Sequence, residues 1–204
     1  MPRTQRPVIN GYFNYFEQCG DAMRSVFRDN LDCRRYLANL YELKLRFEVP
    51  IYAWCLLPVS ASILTGPFRS SDDATEFMQS LSLFQVEPRR MPAPSTASRR
   101  WEQRFQLCQV APGYWPLACM RYMEFLPVRA GECDMPWNYS WSSFRARMGI
   151  EPSALLDPYL GYLRMGNDEE DRRECYRLFM GRGVPDGEAA TIREALLRAS
   201  PLKG

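Results

Sequence analysis

Polar and apolar residues alternate from Val59 to Ile63. On an extended chain Ser60, Ser62 and Leu64 face one side, and Val59, Ala61, Ile63 and Thr65 the other. With the apolar run before Pro58, the stretch Tyr52 to Pro67 reads as a strand, a proline-marked break and a second strand. Val8 to Cys19 is rich in aromatic and β-branched residues and reads as an earlier strand. Between the two, Asp29 or Asn30 can cap a helix in which Leu31, Tyr36, Leu37, Leu40, Tyr41 and Leu43 are spaced for one buried face. Ser70 to Asp73 opens a second helix with capping and acidic residues, running through Phe77, Met78, Leu81 and Phe84 to about Val86.

Glu87 to Arg100 carries three prolines among small polar residues and reads as a loop. Glu102 to Val110 is a further strand, and Pro116 fits the first turn of a helix that continues through Cys119, Tyr122, Met123 and Phe125 and stops at Pro127. Glu151 to Gly204 reads as three short amphipathic helices, clearest at Asp168 to Phe179 and at Glu188 to Leu197. The order strand, helix, hairpin, helix, strand, helix predicts an α+β domain and leaves the strand order open.

Composition narrows the chemistry. The 204 residues suit one large domain, or a domain with a helical tail. There is no histidine, which excludes His-ligated metals, Ser-His triads and imidazole acid–base catalysis. Lys44 and Lys203 are the only lysines beside 24 arginines. Arginine's fork of donors suits phosphate and guanine edges, although an arginine-favouring codon bias gives the same count. Seven scattered cysteines without a CxxC pair predict neither a disulfide framework nor a zinc site, and point to a reducing cytoplasm. The opening MPRTQRP lacks an apolar signal core, and no run approaches the ~18 apolar residues of a membrane span, so the expected location is cytoplasmic.

Several blocks together carry a family resemblance. The most extended is RYMEFLPVRAGECDMPWNYSWSSFRARMG, Arg121 to Gly149; others are VFRDNLDCRRYL, the hairpin YAWCLLPVSASILTGP, Met78-Gln79-Ser80-Leu81-Ser82, and Trp101-Glu102-Gln103-Arg104-Phe105. Over roughly Pro2 to Gly149 the chain resembles the REP-associated tyrosine transposases, a branch of the single-tyrosine HUH nucleases. The resemblance implies a ferredoxin-like antiparallel sheet with helices on one side, followed by a helical C-terminal tail. The corresponding division is a transposase-like domain at 1–149 and a helical extension at 150–204.

It also implies lost chemistry. The family's two metal-binding histidines fall on Ser60 and Ser62, and its catalytic tyrosine on Gln85. Asn14 stands where a further histidine is expected, Gln18 where an arginine is, Leu126 where an asparagine is, and Arg147 where another histidine is. A serine hydroxyl is a poor neutral metal ligand, and an amide cannot attack phosphorus. The expectation is a protein that is not an enzyme and has no metal or cofactor. Residual nuclease activity would need a rebuilt site, with a phenol from Tyr12, Tyr15, Tyr114 or Tyr122 and carboxylates holding Mg²⁺.

Two functional classes remain. In the first, the chain is a domesticated transposase relative that binds hairpin, single-stranded or promoter duplex DNA as a regulator. Its contacts would be Arg89, Arg90, Arg99, Arg100, Trp101 and Arg104, with Arg129, Ser142, Ser143, Arg145 and Arg147. The same loop arginines also fit a solvated loop, Arg129 an ion pair, and Trp141 and Tyr122 core packing. In the second class the fold is a protein-interaction module without DNA binding. The tail, with 8 basic and 10 acidic side chains, is net −2 against +4 for the part before it, which suits a packing or partner surface.

Overall fold

The computed structural model describes residues 9, 11–20, 25–83, 101 and 105–203. Strand β1 (Phe13–Cys19) is followed by helix α1 (Asn30–Phe47), the hairpin β2 (Ile51–Leu57) and β3 (Ser60–Thr65), helix α2 (Ser71–Leu83) and strand β4 (Gln106–Val110). Every neighbouring pair is antiparallel and the strand order is β2-β3-β1-β4. This is the ferredoxin-like βαββαβ arrangement. The chain then forms α3 (Tyr114–Glu124), α4 (Leu126–Arg129), a 3₁₀ turn at Pro136–Asn138, α5 (Phe144–Arg147), α6 (Leu160–Leu163), α7 (Glu169–Gly181) and α8 (Asp186–Arg198).

Local chemistry sets the helix starts. The Asp29 carboxylate accepts from the amides of Leu31 and Asp32, capping α1, and the Ser70 hydroxyl accepts from the Asp73 amide, capping α2. The buried stripe of α1 is Asp32, Cys33, Tyr36, Leu40 and Leu43; Leu31 and Tyr41, expected on it, are 43% and 37% exposed. Pro127 does not end α3, which stops at Glu124; it occupies the first turn of α4, where its missing N–H costs nothing.

Alternation along the strands divides the core in two. Phe16, Trp54, Leu56, Ala61 and Ile63 face α1 and α2, meeting Tyr36, Leu40, Phe77, Met78 and Leu81. Phe13, Tyr15, Ala53, Cys55, Leu64, Cys108 and Val110 face the other way. The expected one-sided helical layer is therefore α1 with α2, and the second face is covered by α3 and by the C-terminal segment. Tyr159, Tyr162, Tyr176, Met180, Ile192, Leu196 and Leu202 share one core with Cys119, Met120 and Met123 of α3 and with the sheet.

Both outer margins of the sheet are occupied. Beside β2, the amide of Leu56 donates to the Trp141 carbonyl at 2.8 Å and that of Ser143 to the Trp54 carbonyl at 2.9 Å. Further along, the Ile51 amide donates to the Asp157 carboxylate, and the Asp157 amide to the Ile51 carbonyl. Beside β4, the Ala111 amide donates to the Leu202 carbonyl and the Leu202 amide to the Gln109 carbonyl. Among the described residues, no helix is long and apolar enough to cross a membrane.

Candidate nucleic-acid interface

Ser60 and Ser62 lie side by side on β3, directed to the face that α3 covers, and both are buried. On β1 their cross-strand partners are Cys19 and Glu17; on β2 they are Leu57 and Cys55. The Ser62 hydroxyl donates to Glu17 Oε1 at 3.5 Å, the outer limit of a hydrogen bond. Burial pushes the Glu17 carboxyl above its usual range, and the Ser62 bond offsets only part of that. Tyr15 lies beneath, its hydroxyl buried with no hydrogen-bond partner among the described residues and its pKa raised by burial first and then by Glu17. Tyr122 closes the patch from α3, with the exposed Arg129 guanidinium 5.7 Å from its ring centre.

This donor set offers one carboxylate with a raised proton affinity, two hydroxyls and no imidazole, which does not fit a divalent metal. Among the described residues, no group of three or more acids or cysteines is placed to hold one. Helix α2, where the resemblance would put the nucleophile, packs on the opposite face of the sheet from Ser60 and Ser62. Gln85, after its end, lies outside the described residues, as do Arg89, Arg90, Arg99, Arg100 and Arg104.

Asn14 and Gln18 serve the scaffold. Asn14 Nδ2 donates to the Gly66 carbonyl at 3.1 Å, and Gln18 Nε2 donates to the Ser82 hydroxyl at 2.8 Å, tying β1 to the last turn of α2.

Four of the expected DNA contacts face inward. Trp101 is only 7% exposed and packs edge-on against Phe27 and tilted against Tyr36, so burial of its large apolar surface removes it as a stacking platform. Ser142 is buried opposite Cys55 beside β2. The Ser143 hydroxyl accepts from the Trp54 amide and donates to Glu124 Oε1 at 2.7 Å. Arg147 Nε donates to the same Glu124 oxygen at 3.1 Å, and its guanidinium stacks between Tyr162 and Tyr176. A buried arginine survives only with such a partner; Nη2 also donates to the Tyr52 carbonyl, while Nη1 meets no partner among the described residues.

Two described contacts remain near the surface. Arg145 is half-buried and braced, Nε to Glu151 at 2.7 Å and one terminal nitrogen to the Trp137 carbonyl at 2.9 Å. Arg129 is exposed and has no acidic partner among the described residues. Most other arginines with a described partner are held by acids: Arg46 by Glu76, Arg69 by Glu48, Arg177 by Glu174, Arg198 by Glu194, and the buried Arg121 by Glu188.

The reading of residues one by one missed the Glu124 network. Glu124 Oε2 accepts from the Tyr176 hydroxyl at 2.8 Å, so one carboxylate joins α3, α5 and α7. The visible signal was a glutamate amid the apolar positions of α3, where an isolated charge would not be tolerated.

No protein-family model matches the chain, and no curated protein matches it by sequence. Among solved structures, the chain is similar to the REP-associated tyrosine transposase bound to a REP hairpin. The match has a TM-score of 0.58 at 14% identity and covers 78% of this chain and 99% of that one. The chain thus shares the fold of a REP-associated tyrosine transposase, with serines on the strand position where the sequence resemblance places that family's metal-binding histidines.

Proposed function

We propose that this protein is a non-cleaving relative of the REP-associated tyrosine transposases that binds DNA and regulates transcription or a repeat element. The observation that carries the reading is the pair Ser60 and Ser62, set side by side on a preserved sheet but without metal-binding side chains. Metal-assisted phosphoryl transfer needs an ion at the phosphate and an activated nucleophile, each contributing roughly several kcal/mol to the barrier. With hydroxyls at the metal position and an amide at Gln85, recognition is the part of the ancestral task that survives. The structural neighbour is bound to a DNA hairpin, which makes a folded hairpin or its single-stranded flank the first ligand to test. Arg129 beside the Ser60–Ser62 patch and the arginines between Glu87 and Arg100 are the proposed phosphate contacts. The seven cysteines, none of them in a disulfide, fit a cytoplasmic protein.

The alternative is a protein-interaction module on the same scaffold. It is favoured by the inward placement of Trp101, Ser142, Ser143 and Arg147, and by the many arginines already held by acids.

The test is selection from hairpin, single-stranded and duplex DNA pools at low and moderate salt, with Mg²⁺ and Mn²⁺ present so that cleavage is read on the same samples. Enriched sequences held with submicromolar affinity, uncut, support the regulator. Weak, unselective binding at low salt leaves the interaction module, and metal-dependent cutting overturns the non-enzymatic reading.

A further inference from the structure

A cleft of about 440 Å³ lies between the start of α1 and the segment around Trp141. Its walls are Asn30, Arg34, Ser140, Trp141 and Glu151. The volume falls within the roughly 300–1,000 Å³ of small-ligand pockets. Asn30 and Arg34 are four residues apart on α1, so their side chains sit one above the other on one helix face. Arg34 is exposed and has no acidic partner among the described residues. Trp141 is half-buried, and its carbonyl is pinned to the sheet by the Leu56 amide at 2.8 Å, so this wall is rigid. The Glu151 carboxylate is held by Arg145 Nε at 2.7 Å.

We infer that this cleft takes one unpaired nucleotide carrying an exocyclic amino group on its base. The inference rests on the DNA-binding reading above and names a contact for it. An indole gives a base a flat face to stack on. A free guanidinium beside it matches a phosphate, with Asn30 and Ser140 as further donors. A fixed carboxylate accepts hydrogen bonds from amino groups, which cytosine, adenine and guanine possess and thymine lacks. The base must be unpaired, because in a duplex its faces are stacked. The arrangement therefore selects an unpaired nucleotide over one in a duplex.

The experiment titrates dCMP and dTMP into the ¹⁵N-labelled full chain and follows the Trp141 indole N–H, identified by its loss in Trp141→Phe. The same protein is tested against labelled single-stranded oligonucleotides by fluorescence anisotropy. The expected result is a saturable shift with dCMP, a smaller one with dTMP, and ~tenfold weaker binding of both in Arg34→Ala from loss of the charged contact. Glu151→Gln lowers the dCMP response and leaves that to dTMP unchanged; its thermal melt controls for the lost bond to Arg145. Oligonucleotide binding that is unchanged in Arg34→Ala, with no dCMP shift, overturns the cleft and leaves the DNA reading standing. A dCMP shift without oligonucleotide binding keeps the cleft as a site for free nucleotide and removes the DNA reading. No response to either ligand overturns both.

Discussion

Glu124 and Arg147 meet 3.1 Å apart with neither side chain reached by solvent, and the Tyr176 hydroxyl closes the second carboxylate oxygen at 2.8 Å. One acid from α3 thereby fixes both α5 and α7. Removing a single partner leaves an unpaired charge in the core. Arg147→Met and Glu124→Leu are each expected to cost about 3–5 kcal/mol in urea unfolding, and the double substitution less than the sum of the two. Additive losses would mean that the two side chains do not stabilise each other.

The C-terminal segment supplies a large share of the second core, though less than half of its buried residues. Tyr176 and Ile192 are fully buried against the same face as Tyr15 and Leu64, and Arg121 is bonded twice to Glu188 of α8 at 2.8 and 2.9 Å. A fragment ending at Gly149 is expected to lose cooperative unfolding and near-UV circular dichroism. A sharp unfolding transition in that fragment would show that the sheet stands alone.

The Ser60–Ser62 geometry makes a gain of function testable. Ser60→His with Ser62→His places two imidazoles on neighbouring positions of one strand face, with the Glu17 carboxylate opposite the second. The double variant is expected to bind Mn²⁺ or Zn²⁺ by isothermal titration calorimetry where the parent does not, and the added Glu17→Gln to weaken that binding. Because Ser62 is buried, circular dichroism must first show the variant folded. A folded variant that binds no metal would mean that the strand no longer presents the ligand geometry.

Glu17 sets a pH dependence whose sign follows from its burial. Its carboxyl is raised in the folded protein above the ordinary 4.5, so the folded state holds its proton more tightly than the unfolded chain. That contribution is fully present below the unfolded value and is lost as pH rises through the folded one. Glu17→Gln is expected to raise the urea midpoint at neutral pH and to flatten its decline between mildly acidic and neutral pH. A variant with the parent's pH profile would assign that decline to another group.

Much of the framework was legible in the chain. Alternation from Val59 to Ile63, the Asp29 and Ser70 caps and the apolar spacing of α1 and α2 report local geometry, and local geometry is what a sequence pattern encodes. Side-chain partners across the fold were not legible. Glu124 and Arg147 are 23 residues apart, and nothing in either neighbourhood distinguishes an arginine aimed at phosphate from one aimed at a buried acid. Trp101 failed for the same reason: its neighbours Phe27 and Tyr36 come from distant stretches. Leu31 and Tyr41 share the α1 pattern, yet α2 covers only part of that helix's girth. The strand order emerged only from the register of β1 between β3 and β4.

The occupied margins of the sheet bear on how this protein behaves in a crowded cell. Trp141, Ser143 and Asp157 on one side and Leu202 on the other satisfy the backbone groups that an open strand would offer to a foreign one. A foreign strand can add to β2 only by displacing the Trp141 segment, whereas at β4 Leu202 guards the end around Val110 and leaves the Leu107 stretch to other protection.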